Sequence, residues 1–222
     1  MKKTAYPVSE HKQLITTDSF FTQKVLAQSL IIEFERNEYI HRETDTLHYL
    51  FYILEGKAKI LKNQANGKRV ILQFLEEHDF IGDLTLVGAE EATKDVVAIG
   101  HTICLALPID YAKKEWMNEL AFVKMLSRYI GQKLLKRMDH FTVNQTFELK
   151  YRLADLLLTV AVDGQYKEKH TEIAEYLGVS YRHLLYTLKN FKDNGLIEKR
   201  GTYYLIHREK LQHLLSDTKG NP

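Results

Sequence analysis

The spacing of apolar residues changes abruptly at Pro108, and this change restricts the fold more than any other feature of the sequence. Between Leu30 and Leu107, short apolar segments alternate with turn residues. The segments are LIIEF, YLFYIL, KAKIL, RVILQFL, DVVAI and TICLAL. Such closely spaced, turn-bounded segments predict β-strands, and we expect them to form a small barrel or sandwich.

Two local signals refine this β region. The Asn66-Gly67 pair is the strongest hairpin signal, because both residues tolerate the left-handed backbone of a tight two-residue turn. Ahead of the first strand, the sequence predicts a short helix over about residues 18–28, with Thr17 or Asp18 as its N-cap.

After Pro108, apolar residues recur at spacings of three and four, which predicts a helix with one apolar face. They are Val123, Leu126, Ile130, Leu134, Met138 and Phe141. The segment from Ile109 to Thr142 holds one glycine and no proline, so a single helix of about 30 residues is expected. We expect two copies to pack along this face as in a two-stranded coiled coil, which makes the protein a homodimer. The alternative is that the β domain covers the whole face.

The C-terminal third predicts a winged helix-turn-helix. The stretch TFELKYRLADLLLTVAVDG predicts an amphipathic helix ending at Asp163-Gly164. A further helix begins at His170-Thr171 and ends at Gly178, and the Ser180 side chain is placed to cap the helix that follows. The segment LIEKRGTYYLIH then predicts two short strands joined through Arg200-Gly201, which would form the wing.

The second helix of this motif is expected to enter the major groove of DNA with its N-terminal part. Its buried side is predicted to consist of Leu184, Leu185, Leu188 and Phe191. The candidate DNA-binding residues are Ser180, Tyr181, Arg182, His183, Tyr186, Lys189, Lys199 and Arg200. Arg182 suits a bidentate contact to guanine, Ser180 and His183 suit phosphate, and the tyrosines suit a thymine methyl, sugar or phosphate. The lysines and Arg200 suit sequence-independent phosphate contacts.

Composition and motif content argue against several other classes of protein. No apolar run is long enough to span a membrane, and the opening MKKTAYPVSEHKQ lacks the apolar core of a signal peptide, so we expect a cytoplasmic protein. The single cysteine, Cys104, excludes an intrachain disulfide and an iron–sulfur cluster, and its apolar setting predicts a packing role. The histidines of the β region show no metal-ligand spacing, and no catalytic motif is present, so we expect neither a metal site nor an enzyme. They are His41, His48, His78 and His101.

These signals divide the chain into a barrel domain at residues 1–108, a dimerisation helix at residues 109–143 and a winged helix-turn-helix at residues 144–222. The formal net charge is +2, and the excess lies entirely in residues 142–222, with 12 basic against 10 acidic side chains. That distribution is compatible with nucleic-acid binding but is too small to predict it alone.

The order of these parts resembles the Crp/Fnr family of bacterial transcription regulators over nearly the whole chain, and looks most like its YeiL-type branch. The stretch YLFYILEGKAKILKNQANGKRVILQFLEEHDFIGDLTL is similar to the family's barrel, including the F-x-G-[ED]-L element at Phe80, Gly82, Asp83 and Leu84. The resemblance implies an α+β fold with a cyclic-nucleotide-binding-type β-barrel, or double-stranded jelly roll. It also implies an effector-controlled homodimer that binds an inverted-repeat operator in double-stranded DNA, with RNA polymerase as a possible further partner.

The sequence departs from the cyclic-AMP-binding members of that family. Their Arg-Ser pair, which grips the cyclic phosphate, is matched by Lys94 and Asp95, and a carboxylate facing a phosphate is unfavourable. Their adenine-contacting hydroxyl residues are matched by Met138 and Asp139. We therefore expect an effector other than cyclic AMP. The candidate effector-binding residues are Gly82, Asp83, Lys94 and Asp95.

The sequence leaves two alternatives to an effector-controlled regulator. They are a constitutive DNA-binding regulator without a small-molecule effector and a metal-dependent barrel enzyme or sensor.

The recognition helix also departs from the family. Members that read a TGTGA-type half-site carry an Arg-Glu pair and a further Arg, where this chain has Tyr181, Arg182 and Tyr186. Since the glutamate that accepts from cytosine is missing, a different operator is expected.

Overall fold

The computed structural model describes residues 21–65 and 67–216, together with the backbone of residues 5–7. The chain divides into two compact units. The first contains the described residues up to Lys62 and the segment Gln73–Lys136, and the second contains Asn63–Leu72 and the described residues from Arg137 onward.

The β domain is built from two antiparallel sheets, which agrees with the barrel or sandwich expected from the sequence. Its strands are β1 (Ala5–Pro7), β2 (Leu30–Phe34), β3 (Tyr39–His41), β4 (Tyr49–Glu55), β5 (Ala58–Asn63), β6 (Arg69–Leu75), β7 (Phe80–Ile81), β8 (Asp95–Ala98) and β9 (Thr102–Pro108). Among the described residues, one sheet has the order β1-β2-β9-β4-β7 and the other β3-β8-β5-β6. All six predicted strands are present, whereas the short strands β1, β3 and β7 were not predicted.

Both sheets contribute to one hydrophobic core. Ile53 and Leu105 from the first sheet and Ala58 and Val96 from the second belong to the same buried cluster. Cys104 is fully buried in this core, and burial raises the pKa of its thiol far above the ordinary value. The prediction of a packing role for this cysteine is therefore confirmed.

The helices ahead of and within the β domain are short. Helix α1 (Gln23–Leu26) is capped by Thr22, whose side chain accepts a hydrogen bond from the Val25 N–H. The predicted caps Thr17 and Asp18 lie outside the described residues, as does Asn66 of the predicted hairpin turn. Helix α2 (Asp83–Leu86) follows β7 directly.

The single helix predicted from Ile109 to Thr142 is wrong at its N-terminal end. The structure has helix α3 (Ile109–Lys114), a 3-10 helix (Trp116–Asn118), and then helix α4 (Leu120–Thr146). Glu119 is extended between them. The break allows Trp116 to enter the core, where its ring centroid lies 4.4 Å from that of Phe122. Burial of this large side chain outweighs the favourable helical spacing.

The C-terminal part forms a winged helix-turn-helix. Its elements are α5 (Leu149–Val160), β10 (Gln165–Tyr166), α6 (His170–Tyr176), α7 (Tyr181–Asp193), β11 (Ile197–Arg200), β12 (Tyr203–Ile206) and α8 (Arg208–Ser216). The two helices of the motif and the wing hairpin are confirmed. Helix α5 ends at Val160, before the predicted Asp163-Gly164, because Ala161 is already extended; Asp163 and Gly164 then adopt positive φ in the turn that leads into β10.

Helix α4 has two different faces. Phe122 and Leu126 are buried in the core of the β domain, and Ile130 packs partly against it. Leu134, Met138 and Phe141 are exposed over more than half of their surface, and Val123 is partly exposed. Leu126 therefore belongs to the core rather than to the free apolar face on which the sequence analysis placed it.

Candidate nucleic-acid interface

The turn between α6 and α7 depends on one glycine and one serine. Gly178 has φ +64°, a left-handed conformation that side-chain-bearing residues rarely adopt. Ser180 is the N-cap of α7, and its side-chain oxygen accepts a hydrogen bond of 3.2 Å from the His183 N–H. The Ser180 hydroxyl keeps its own proton and remains able to donate to a phosphate oxygen.

Helix α7 separates buried from exposed side chains along its length. Leu184, Leu188 and Phe191 are buried as predicted. Leu185, which was predicted to be buried, is 37% exposed, and Thr187 is buried instead. The helical rotation of about 100° per residue places position 187 about 60° from position 184, on the same side as position 191, whereas position 185 lies about 100° away on the other side, toward solvent.

The opposite face of α7 carries the predicted DNA-binding side chains. Tyr181, Arg182, His183, Tyr186 and Lys189 are all exposed. Within the part of the chain that the structure describes, neither Arg182 nor Lys189 makes an ion pair or a side-chain hydrogen bond. Their charges are therefore available to an external anion or base edge.

The wing presents Lys199 and Arg200, but the two differ in their surroundings. Arg200 is already bound to Glu198, with Nε 2.9 Å from Oε1 and Nη2 3.1 Å from Oε2. The Lys199 Nζ lies 6.0 Å from the centroid of the Tyr204 ring. Lys199 is consequently the better placed of the two for a phosphate, because Arg200 would have to share its guanidinium with a carboxylate.

The wing rests on an aromatic cluster that the sequence analysis did not identify. Tyr166 and His170 are stacked with ring centroids 5.8 Å apart, and the Tyr204 ring lies 5.8 Å from His170. Lys167, in the same loop, holds its Nζ 5.0 Å from the Tyr203 ring centroid and is a further exposed cation beside the wing. The lysine-rich sequence QYKEKH just before α6 is the signal that would have indicated it.

Helix α6 is tied to the end of α4 and to α5 by polar contacts. Arg152 Nη1 donates to the Asn144 side-chain oxygen at 3.1 Å and to the Leu177 carbonyl at 2.7 Å. Asn144 also donates to the Tyr176 carbonyl at 3.2 Å, and the His140 ring stacks on Tyr176 at 4.2 Å. These contacts hold the C-terminal end of α6, which precedes the recognition helix, in a defined position.

In the barrel, the F-x-G-[ED]-L element is tightly packed. Gly82 has φ +93°, and a Cβ there would lie 2.6 Å from Leu47 Cδ2, so only glycine fits. Asp83 is buried, and both of its carboxylate oxygens accept hydrogen bonds of 2.9 Å from Lys133 Nζ in α4. The two side chains are only 4% and 6% exposed, respectively. The carboxylate of this element is therefore neutralised by the chain itself.

Lys94 and Asp95 are also engaged within the barrel, though not with each other. Lys94 Nζ lies 3.3 Å from Glu43 Oε1 and 3.8 Å from Glu90 Oε2. Asp95 is buried and accepts a 2.9 Å hydrogen bond from the Glu43 N–H. A neighbouring cavity of about 380 Å³ has a mainly polar lining. It is lined by Glu43, Thr44, Asp45, Thr46, Leu47, Thr85, Glu91, Ala92, Thr93, Ile109 and Lys113. Three carboxylates against one lysine make this lining unfavourable for a phosphate.

His41, on β3, is expected to make the stability of the barrel depend on pH. Its side chain is buried, and this burial lowers the pKa of the imidazole below the ordinary 6.5, although Asp45 and Asp95 oppose the shift. The unfolded chain thus binds more protons just below pH 6.5, so the free energy of unfolding falls as the pH is lowered through that range.

Urea titrations between about pH 7.5 and about pH 5.5 should show a shallower decline in the free energy of unfolding for His41→Asn than for wild type. His48→Asn changes an exposed imidazole nearby and should keep most of the decline; equal slopes for all three proteins would contradict the assignment.

The described residues contain neither a cluster of metal ligands nor a helix that could span a bilayer. Across residues 21–65 and 67–216, His, Cys, Asp and Glu side chains form no group of three or more arranged to hold a metal ion. None of the helices in those ranges combines the length and the hydropathy that a bilayer-spanning segment requires.

Known proteins share both halves of this architecture. The family model of the cyclic nucleotide-binding domain matches residues 31–119, and that of the Crp-like helix-turn-helix domain matches residues 151–214. Regulatory protein YeiL of Escherichia coli O157:H7 is 36% identical over 193 residues, which are 87% of this chain and 88% of that protein. The cAMP-activated global transcriptional regulator CRP of Salmonella typhimurium is 26% identical over 169 residues, covering 71% of this chain and 80% of its own.

The fold also matches solved structures. A transcriptional regulator of the Crp/Fnr family from Eubacterium rectale superimposes with a TM-score of 0.70 at 15% identity, covering 95% of this chain and 98% of that chain. The Crp-like helix-turn-helix match and the 36% identity to a regulatory protein over most of the chain make it a DNA-binding transcription regulator, of a class that consists of regulators rather than enzymes. With the similarity to YeiL over most of its length, the chain belongs to the Crp/Fnr family.

Proposed function

We propose that the protein is a homodimeric regulator that binds an inverted-repeat operator by placing one α7 helix of each copy in the major groove. The observation that carries this proposal is the exposed face of α7, on which Arg182 and Lys189 have no partner within the described residues. A guanidinium held on a rigid helix suits a bidentate contact to guanine O6 and N7. Ser180, His183, Lys199 and Arg200 are proposed as phosphate contacts that fix the register.

The dimer is proposed to form along the free apolar face of α4, defined here as Val123, Ile130, Leu134, Met138 and Phe141. Three of these side chains are largely exposed, although each is large and apolar. Their spacing of three and four residues matches a coiled-coil seam, and packing against a second copy removes them from water.

A selection experiment tests the proposal directly. Purified protein is incubated with random-sequence duplex DNA, and the bound fraction is sequenced over several rounds. We expect an inverted repeat whose half-site centres are about 34 Å apart, one turn of the duplex. A selected motif without two-fold symmetry would contradict the dimeric mode, and failure to enrich any motif would contradict sequence-specific binding.

The role of the barrel is proposed as sensing of an effector that is not cyclic AMP. The acidic lining of the barrel cavity and the engagement of Lys94 by Glu43 and Glu90 both disfavour a cyclic phosphate. A second candidate is a constitutive regulator without an effector, and the buried Asp83–Lys133 pair favours it. This second candidate would be supported if the ligand-free protein binds the operator and if neither cyclic AMP nor any metabolite of a panel changes its affinity. A metabolite that raises both the affinity for the operator and the thermal stability of the protein would support sensing.

We propose the cytoplasm as the site of action and RNA polymerase as a further partner, since the family regulates transcription.

Arg182 and Lys199 are expected to make different kinds of contact. Arg182→Ala should relax specificity at one base position and cost about 1–3 kcal/mol on the preferred operator. Lys199→Ala should weaken binding to every sequence alike and reduce the salt slope by about one unit. Both effects are measured by fluorescence anisotropy on operator and scrambled duplexes at several salt concentrations. Equal losses on both duplexes for both variants would refute the division of roles.

A further inference from the structure

Leu185 is an apolar side chain on the DNA-facing side of α7. It is 37% exposed, and three of its four helical neighbours at three and four positions, Tyr181, Arg182 and Lys189, are also exposed, while the fourth, Leu188, is buried. The buried side of the helix is complete without it, since Leu184, Thr187, Leu188 and Phe191 form that side. Leu185 therefore lies within the surface that the proposed function assigns to the major groove.

The chemistry of the major groove restricts what such a side chain contacts. Leucine has no hydrogen-bonding group, so it cannot read the donors and acceptors that guanine, cytosine and adenine present there. Among the four unmodified bases, thymine alone offers an apolar group in that groove, its C5-methyl. Any base-specific contact that Leu185 makes in unmodified DNA is therefore a contact with that methyl group.

We propose that Leu185 is a specificity-determining residue that contacts a thymine C5-methyl group in each half-site, an inference that rests on the proposed major-groove docking of α7. Arg182 and Leu185 are three residues apart, about 4.5 Å along the helix axis, whereas successive base pairs are about 3.4 Å apart. The thymine consequently lies within about two base pairs of the guanine read by Arg182.

Thymine-to-uracil substitution tests the inference, because it removes only the methyl group. The operator obtained by selection is synthesised with each thymine replaced in turn by uracil, and Kd is measured by fluorescence anisotropy. For wild-type protein, one thymine per half-site should show a loss of about fourfold, the value expected for one methyl-sized group at ~0.8 kcal/mol. Replacing that thymine in both half-sites should multiply the losses to about 16-fold.

Variants at Leu185 and Tyr186 assign the effect to one side chain. Leu185→Ala should bind the thymine and uracil operators equally well, and Leu185→Met should restore the preference, because it returns an apolar chain of similar reach. Tyr186→Ala is the comparison variant, since Tyr186 is the other exposed candidate on this part of α7 for a thymine methyl; it should weaken the binding of the thymine and uracil operators alike and leave their ratio unchanged. Circular dichroism of each variant verifies that the exposed substitutions leave the fold unchanged.

The outcomes separate this inference from the proposed function. Two results would overturn the role of Leu185 while leaving operator binding established. In the first, wild-type protein binds every uracil operator as tightly as the parent thymine operator. In the second, the Leu185→Ala variant keeps the fourfold preference for thymine. A preference that disappears in Tyr186→Ala but persists in Leu185→Ala would move the methyl contact to the tyrosine. If wild-type protein enriches no operator at all, the failure lies with the proposed function.

Discussion

Leu134→Glu is expected to convert the protein from a dimer to a monomer and to lower its operator affinity by about two orders of magnitude or more. Leu134 is 58% exposed at the middle of the free apolar face of α4. In the proposed dimer, each glutamate would be desolvated beside its copy from the partner helix, which is strongly unfavourable. A monomer engages only one half-site and loses the gain of about 10²–10⁴ that linked binding provides. Analytical ultracentrifugation and anisotropy on the selected operator measure the two effects.

Leu135→Glu is the matched control for this prediction. Leu135 is 59% exposed, so the two leucines differ little in their contact with solvent. They differ in direction, since consecutive residues are about 100° apart around a helix and position 135 lies away from the rest of the face. The control should remain dimeric and bind DNA within a few-fold of wild type. If both variants dimerise, or if both dissociate equally, the α4 face as defined is not the interface.

Lys133→Ala is expected to lower the free energy of unfolding by about 3–5 kcal/mol. The substitution leaves the Asp83 carboxylate buried without the cation that contacts both of its oxygens. Asp83→Asn should also destabilise, because the Lys133 ammonium would lose its counter-charge. The combined Lys133→Met and Asp83→Asn variant should be more stable than Lys133→Ala, since no unpaired charge stays buried. Urea unfolding followed by circular dichroism gives all the values.

The neighbouring pair Lys136–Glu76 provides the comparison for this effect. Its Nζ–Oε1 distance is 2.6 Å, shorter than in the buried pair, but the side chains are 61% and 55% exposed. Lys136→Ala should therefore cost at most about 1 kcal/mol. Similar losses for Lys133→Ala and Lys136→Ala would mean that burial of the Asp83–Lys133 pair has no special energetic importance.

The elements that were predicted correctly are those whose signals are local. Gly178 and Ser180 mark the turn and the cap of the recognition helix within three positions, and the structure has both features where they were expected. The barrel strands could be predicted for the same reason, because each apolar segment is bounded by its own turn residues. The assignments of individual side chains to DNA and to the dimer remain predictions.

The features that were missed depend on distant parts of the chain. The helix break after Lys114 has no glycine or proline to announce it and arises because Trp116 is drawn into the barrel core. Lys133 looks like an ordinary surface lysine in the sequence, and only the fold brings it to Asp83, 50 positions earlier. Leu185 was misassigned because three leucines within five residues do not reveal which of them faces the core. A helical-wheel count that included Thr187 would have placed it correctly.

The burial of Cys104 has a consequence for how the proposed dimer is held together. The thiol lies in the barrel core without contact with solvent, and it is the only one in the chain. Two folded copies therefore cannot be joined by a disulfide, and oxidants reach the sulfur only if the barrel opens. The proposed dimer would then be held by non-covalent contacts only, and the fraction of subunits paired would follow the cellular concentration of the protein by mass action.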